Sequence, residues 1–246
     1  MRRTSWVFAL LMLVGLVTVA PADAATSKVR TTHQVIGRSI EGRAIIAYHR
    51  YRVGDTTAHT AVIIGQLHGN ETAGRTVAWQ ALKATLPAHL DLWIIVSANP
   101  DGFAHHRRQN AHGVDINRNF PRNWRHTAKG GSNYSGPSAG SERETRVLMT
   151  FLAKVDPWTI VSIHQPLNGI DAYHAKRKPL AKALSHATLL PIRTFDCHGG
   201  CYGTMTQWFN HGHDGAAITM ELPSRPTAAF IHHTTSGTLT VLAKGT

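Results

Sequence analysis

Thr60-Ala61-Val62-Ile63-Ile64-Gly65-Gln66-Leu67-His68-Gly69-Asn70-Glu71 is the stretch on which the fold turns. Its first half is apolar without alternation, as expected of a strand buried on both faces. Directly after it, an imidazole and a carboxylate stand three residues apart. His and Glu are both good zinc ligands, and a strand-ending turn can aim both at one point. Two further apolar runs end in a polar residue of the same kind. Residues 159–163 lead into His164, and residues 216–220 lead into Glu221. Four such residues, far apart in the chain, point to a site built from the ends of several strands of one sheet. Open α/β sheets place their ligand sites there.

Working outward from these runs, the elements alternate. Residues 25–34 read as an exposed lead-in, and residues 35–51 as two short strands around Glu41-Gly42-Arg43. Residues 60–66 predict a strand and residues 71–86 a helix, stopped by Pro87. Residues 92–97 predict another strand, ending at the turn signal Asn99-Pro100-Asp101-Gly102. Residues 103–140 are irregular and rich in Arg, Asn, His and Gly; so long an irregular stretch is usually functional. Ser141-Glu142-Arg143-Glu144 has the form of a capping box and predicts a helix to about Lys154, ahead of Pro157. Strands over 158–164 and 216–222, with helices over 178–188 and 204–210, complete the pattern. Mostly apolar strands alternating with helices predict an α/β three-layer fold.

A chain of 246 residues suggests one domain of moderate size after processing, and 42% hydrophobic residues suffice for a substantial core. The N-terminus reads as a secretory signal. Arg2 and Arg3 precede an uncharged apolar run, residues 6–20, too short to span a bilayer, and Ala22-Asp23-Ala24 fits a small-x-small cleavage site. The expectation is a signal peptide over 1–24 and a catalytic domain over 25–246, secreted and without stable membrane insertion after cleavage. Cys197 and Cys201 bracket His198-Gly199-Gly200. In an oxidising compartment they suit a small-loop disulfide; a zinc site lacking a fourth ligand and two free thiols are the other readings. The formal net charge of +12 predicts attraction to anionic wall polymers or lipid surfaces. Nucleic acid is discounted, because the chain carries no helix-turn-helix, zinc-finger or aromatic-rich RNA-binding motif.

The irregular stretch contains Arg107-Arg108-Gln109-Asn110-Ala111-His112-Gly113-Val114-Asp115-Ile116-Asn117-Arg118-Asn119-Phe120-Pro121. The chain here resembles a zinc metallocarboxypeptidase of the carboxypeptidase A superfamily. The resemblance is carried by His68-Gly69-Asn70-Glu71, Asn99-Pro100-Asp101-Gly102, residues 114–121, Ser135-Gly136-Pro137 with Ser141-Glu142, His164, and Thr219-Met220-Glu221-Leu222-Pro223, in that order. A lone HxxE is weak; the ordered set is specific. It implies a three-layer α/β/α fold with a mixed, mostly parallel central sheet. It also implies one zinc ion per chain, held by His68, Glu71 and His164, with a fourth position left open as in catalytic sites. Glu221 matches the family's general base. Arg108 matches the arginine that stabilises the developing oxyanion, although Arg107 is its neighbour and rival. Asn117 and Arg118 match the pair that holds the substrate's terminal carboxylate, for which a guanidinium fork is suited. Taken singly, these residues have blander readings: a solvated strand-end pair for His68 and Glu71, a core histidine for His164, an ion pair with Arg225 for Glu221, surface bases for the arginines and a turn for Asn117.

His-Gly-Asn-Glu, Gly203-Thr204-Met205-Thr206-Gln207-Trp208, Glu221-Leu222-Pro223 and the compact length look most like bacterial murein peptide amidases. Those relatives cut the amide between γ-D-glutamate and diaminopimelate in cell-wall peptides. The resemblance therefore implies a secreted amidase acting beside a free carboxylate. The alternatives are a general peptide carboxypeptidase, an N-acyl amino-acid deacylase and, from another class, a non-catalytic wall-binding module. One departure stands out. Where digestive relatives carry a flexible tyrosine, this chain has Phe195, with Tyr202 and His198 as the nearby substitutes. A specificity pocket is expected near residues 196–215, and Trp208 is expected in the core.

Overall fold

The structure, a computed structural model, describes residues 28–195, 197 and 201–245. The expected signal segment and His198 lie outside the described residues. Strand β3 (His59–Ile64) shows why the apolar runs become strands. Ala61 and Ile63 pack into one core, Val62 and Ile64 into another on the opposite face, and all four are buried. Period-two side chains thus meet apolar layers on both sides. β5 (Thr159–His164) is buried along its whole length in the same way.

These strands belong to a sheet that includes β1 (Val29–Arg38), β2 (Ala44–Arg52), β4 (Leu90–Ile95), β6 (Leu167–Asp171), β7 (Ile192–Arg193) and β8 (Ala216–Pro223). Its order is β1-β2-β4-β3-β5-β8-β6-β7. The inner four, β4, β3, β5 and β8, run parallel. β2 joins β4 antiparallel with β1 antiparallel outside it, and β6 joins β8 antiparallel with β7 parallel outside it. Helices α1 (Ala73–Lys83), α4 (Lys178–Thr188) and α6 (Ala228–Ala243) cover one face through Val77, Leu184, Leu239 and their neighbours. α3 (Arg143–Val155) and α5 (Met205–Gly212) cover the other through Leu148, Phe151 and Phe209. The predicted three-layer α/β/α fold with a mixed sheet is the one observed.

Several local expectations are corrected. Residues 25–34 are not a lead-in over their described part: β1 begins at Val29 and is paired along β2. It is an edge strand with mostly exposed side chains, so no apolar alternation marks it in the sequence. Asn99 is not a simple turn residue but the N-cap of the short helix α2 (Pro100–Ala104), accepting from Gly102 N at 2.9 Å. The capping box at Ser141 does not form. Glu142 is the N-cap of α3, without a side-chain cap bond. The Ser141 hydroxyl instead donates to Glu142 Oε1 at 2.7 Å. Glu144 accepts from Ile40 N at 3.0 Å and from Asn110 Nδ2 at 3.1 Å. The two buried carboxylates are recruited to tie down the long irregular segment, a demand that outweighs capping. β6, β7 and α6 were not foreseen.

Candidate active site

The turn after β3 is shaped by close backbone approach. A Cβ at Gly69 would stand 1.9 Å from the Gly102 carbonyl carbon, so the turn rests directly on α2. Asn99 reinforces this, its Nδ2 donating to Leu67 O and Arg108 O, each at 3.1 Å. Gly69 N also donates to Arg108 O at 3.2 Å. The His68 turn and the Arg108 segment are thereby locked together. His164 closes β5 and pairs in register with Glu221 on β8. Gly203 (φ +58°) lies against Arg118 O, where a Cβ would come within 2.3 Å.

His68 Nδ1 lies 2.7 Å from Glu71 Oε1, and His164 Nδ1 lies 2.9 Å from Glu71 Oε2. The two Nδ1 atoms are 3.2 Å apart. One ligand atom from each of the three residues falls within 4.8 Å of the others, and all three residues are buried. The opposite ring nitrogens have partners of their own. His68 Nε2 is 2.9 Å from Asp115 Oδ1, and His164 Nε2 is 3.1 Å from Ser162 Oγ. With Nε2–H given to Asp115, the His68 Nδ1 lone pair faces the centre, and the His164 tautomer that donates from Nε2 to Ser162 Oγ frees its Nδ1 lone pair in the same way. Two such lone pairs and a carboxylate, held together away from water, fit a cation, and the N/O donor set suits zinc.

Arg108 and Asp115 surround this cluster. Arg108 donates to Glu71 Oε1 at 3.1 Å and to Asp115 Oδ2 from Nη2 and Nε at 2.8 and 3.1 Å. Of the neighbouring arginines, Arg108 lines the cavity, and Arg107 is not among its walls. Asp115 is fully buried and was missed as a site residue. Its only sequence signal was its place two residues before Asn117. Burial pushes Asp115 up, but His68 and Arg108 outweigh that and hold it well below the usual carboxylate range. Glu71 behaves alike: burial raises it, and the two imidazoles bring it far lower. Burial lowers His68, but Glu71 and Asp115 raise it on balance.

Asn117 Oδ1 accepts from Met205 N at 2.9 Å, which turns its amide nitrogen toward His164. Arg118 Nη1 donates to the Asn117 carbonyl at 2.8 Å. Glu221 Oε2 accepts from Leu167 N at 3.2 Å. Its carboxyl is raised above the ordinary value, chiefly by burial, with His164 opposing and Glu71 adding. All seven residues singled out in the sequence, His68, Glu71, His164, Glu221, Arg108, Asn117 and Arg118, line one cavity of about 510 Å³. Phe195 lines it too, and Tyr202 does not. Tyr202 borders a second cavity of about 180 Å³, with the Arg125 guanidinium 3.6 Å above its ring. Cys197 and Cys201 form a disulfide. Trp208 packs on Phe120 and Phe209 beside the core, as expected.

A model of the zinc carboxypeptidase family matches residues 22–176. The chain belongs to the zinc carboxypeptidase family. It is 30% identical to murein peptide amidase A of Escherichia coli (strain K12) over 173 residues, 64% of this chain and 68% of that protein. Among solved structures it is similar to murein-tripeptide amidase MpaA from Escherichia coli O157, with a TM-score of 0.72 and 25% identity over 86% of this chain and 91% of that one. Carboxypeptidase A from Helicoverpa armigera shares the fold, with a TM-score of 0.74 and 20% identity over 87% of this chain and 68% of that one. As a zinc carboxypeptidase the chain is a hydrolytic, zinc-dependent enzyme. The family match ends at residue 176, so the place of Glu221 rests on its register beside His164 and on the shared cavity.

Proposed function

We propose that this zinc carboxypeptidase cleaves the γ-D-glutamyl–diaminopimelate amide of cell-wall peptides, outside the cytoplasm, after removal of residues 1–24. The observation that carries the reading is one cavity in which a free carboxylate base, Glu221, stands beside the His68, Glu71 and His164 cluster and faces Asn117 and Arg118. Bound by the cluster, zinc supplies a Lewis acid that acidifies the attacking water and polarises the scissile carbonyl. Arg118 and the Asn117 amide hold the substrate's terminal carboxylate and so set the register of the amide to be cut. Arg108, anchored on Asp115, presents its charge where the oxyanion develops. Glu221 takes the water's proton and delivers it to the leaving nitrogen. Its raised carboxyl is a stronger base than an exposed one, and its bond from Leu167 N fixes one oxygen while the other remains for the proton. The cell-wall substrate is supported by the relatives named murein peptide amidase, and export by the signal-like N-terminus and basic balance, which suits anionic wall polymers.

The test is mass spectrometry of purified muropeptides incubated with zinc-loaded protein. The expected product is a free diaminopimelate-containing fragment and a peptide ending in D-glutamate. Faster release of ordinary C-terminal residues from L-peptides would make the protein a general carboxypeptidase. No cleavage of either class would overturn the assignment of roles.

A further inference from the structure

Three carboxylates face the cavity among the described residues. Two have roles: Glu71 belongs to the metal cluster and Glu221 to proton transfer. The third is Asp171, at the end of β6, 5% exposed. Its position follows from strand register. Gly169 pairs with Glu221 and Ile170 with Met220. Alternation therefore puts residue 171 on the same face of the sheet as residue 169, and so on the face that carries Glu221. Two residues along a strand are about 7 Å. Asp171 thus sits roughly 7 Å along β6 from the register partner of Glu221.

The local bonding leaves Asp171 able to do more. Oδ1 accepts from Tyr173 N at 2.9 Å, and Oδ2 is 3.0 Å from His174 Nδ1. Each carboxylate oxygen has a second lone pair. No arginine or lysine pairs with Asp171 among the described ion pairs; its one ionisable partner is His174. A buried carboxylate held by one backbone N–H and one imidazole keeps acceptor capacity for a cationic ligand. The nearby wall is polar too: Thr206 and Thr219 both line the cavity, their hydroxyls 3.1 Å apart. Pro166, Leu167 and Phe195 line the same cavity, so its wall can seat the methylene stem of an arm whose end is polar.

We propose that Asp171 is the specificity-determining residue of this cavity, receiving an ammonium group on the distal end of the side chain of the residue released. Diaminopimelate and lysine both carry that group five bonds from the α-carbon, a reach of about 6 Å, and the second carboxylate on diaminopimelate's distal carbon must then turn away from Asp171. With the α-carboxylate at Asn117 and Arg118 and the amide nitrogen at Glu221, an extended arm of that length enters the part of the same cavity that Asp171 lines. The inference rests on the reading of the site as a peptide amidase and names what its pocket selects.

The experiment uses the full zinc-loaded protein and γ-D-glutamyl peptides that differ only in their last residue: diaminopimelate, lysine, Nε-acetyl-lysine and norleucine. The native enzyme should cut the two ammonium-bearing peptides about 10- to 100-fold better in kcat/KM, the range of one charge-assisted hydrogen bond, with most of the difference in KM. Asp171→Asn keeps an acceptor for Tyr173 N and should collapse that preference to within about threefold. Zinc content and melting temperature report whether the variant is folded. If it is not, competition on the native enzyme decides, free lysine inhibiting at least about 10-fold more strongly than free norleucine. Equal cleavage of all four peptides by the native protein overturns the role of Asp171 and leaves the amidase reading intact. A preference that survives in folded Asp171→Asn does the same. Cleavage of none of them overturns the amidase reading, and this inference with it.

Discussion

Asp115→Asn is the most informative single substitution, because Asp115 joins a metal ligand to an arginine while touching no substrate. The amide is nearly isosteric. Its oxygen can still accept from His68 Nε2 and from Asn117 N, both now bound to Oδ1 at 2.9 Å. Its nitrogen then replaces Oδ2 and faces Arg108 Nη2 and Nε, donor against donor, where 2.8 and 3.1 Å bonds stood. Removing one partner of a buried pair typically costs about 3–5 kcal/mol. Here Glu71 still holds Arg108, whose side chain is 25% exposed, so about 2–3 kcal/mol is expected of the metal-free protein. Loss of a carboxylate behind a ligating histidine lowers metal affinity by roughly 10- to 100-fold. Zinc affinity is read by titration against a competing chelator, and stability by denaturant unfolding of the metal-free form. Zinc should still bind at one equivalent, only more weakly, and kcat should fall as Arg108 loses its anchor. Native zinc affinity together with an unchanged unfolding midpoint would refute the view that Asp115 organises the centre.

Glu221→Gln preserves shape and removes the base, so turnover should fall by about 10²–10⁴ while zinc content stays at the native level; joint loss of metal would make Glu221 a ligand instead. Arg108→Ala should reduce kcat by roughly 10²–10³, whereas Arg118→Ala should chiefly raise KM and abolish the penalty for amidating the substrate's terminal carboxylate. Equal kinetic signatures for the two variants would remove the distinction. Glu144 titrates above the ordinary glutamate value, chiefly because of burial, with Asp101 adding and its hydrogen bonds opposing. A raised acid stabilises the fold below its unfolded value and loses that contribution as pH rises through its folded value. Glu144→Gln, which cannot ionise, should therefore gain stability relative to the native protein as pH climbs from about 4 toward 7, in metal-free denaturation curves. A stability gap that does not change with pH would contradict this.

The site was readable because each of its main residues follows an apolar run or a dense polar motif, and such patterns are local. His68, His164 and Glu221 each follow or close an apolar run that forms a buried strand, and the ordered set of motifs singled them out together. Asp115 and Asp171 were not readable as site residues for the opposite reason. Asp115 acts through His68, 47 residues away, and Asp171 faces the cavity only because β6 runs antiparallel beside β8. β1 escaped because an exposed edge strand carries no apolar face, its order coming from backbone bonds to β2. α6 escaped because its core face carries Thr234, Thr235 and Thr238 as well as apolar residues, which blurs the contrast with the exposed His232, His233, Ser236 and Thr240. Its Thr235 hydroxyl donates to Ile231 O at 2.8 Å, within the helix itself.

That division between local and long-range information also explains the order of the groups that line the cavity. β5 and β8 are parallel neighbours, and His164 and Glu221 are register partners. Their backbones are therefore one strand spacing apart, about 4.8 Å, fixed by sheet hydrogen bonds rather than by their own side chains. His68 and Glu71 enter from the turn beyond β3, on the other side of β5, so the residues that could hold the metal lie at two adjacent strands and the proposed base on the third. A substitution at Glu221 thus leaves the ligand geometry supported by β3 and β5. A substitution at Asp115 leaves the strands intact and disturbs the ring of His68. The sheet sets where the groups stand, and the buried polar contacts around Asp115 set which way they face.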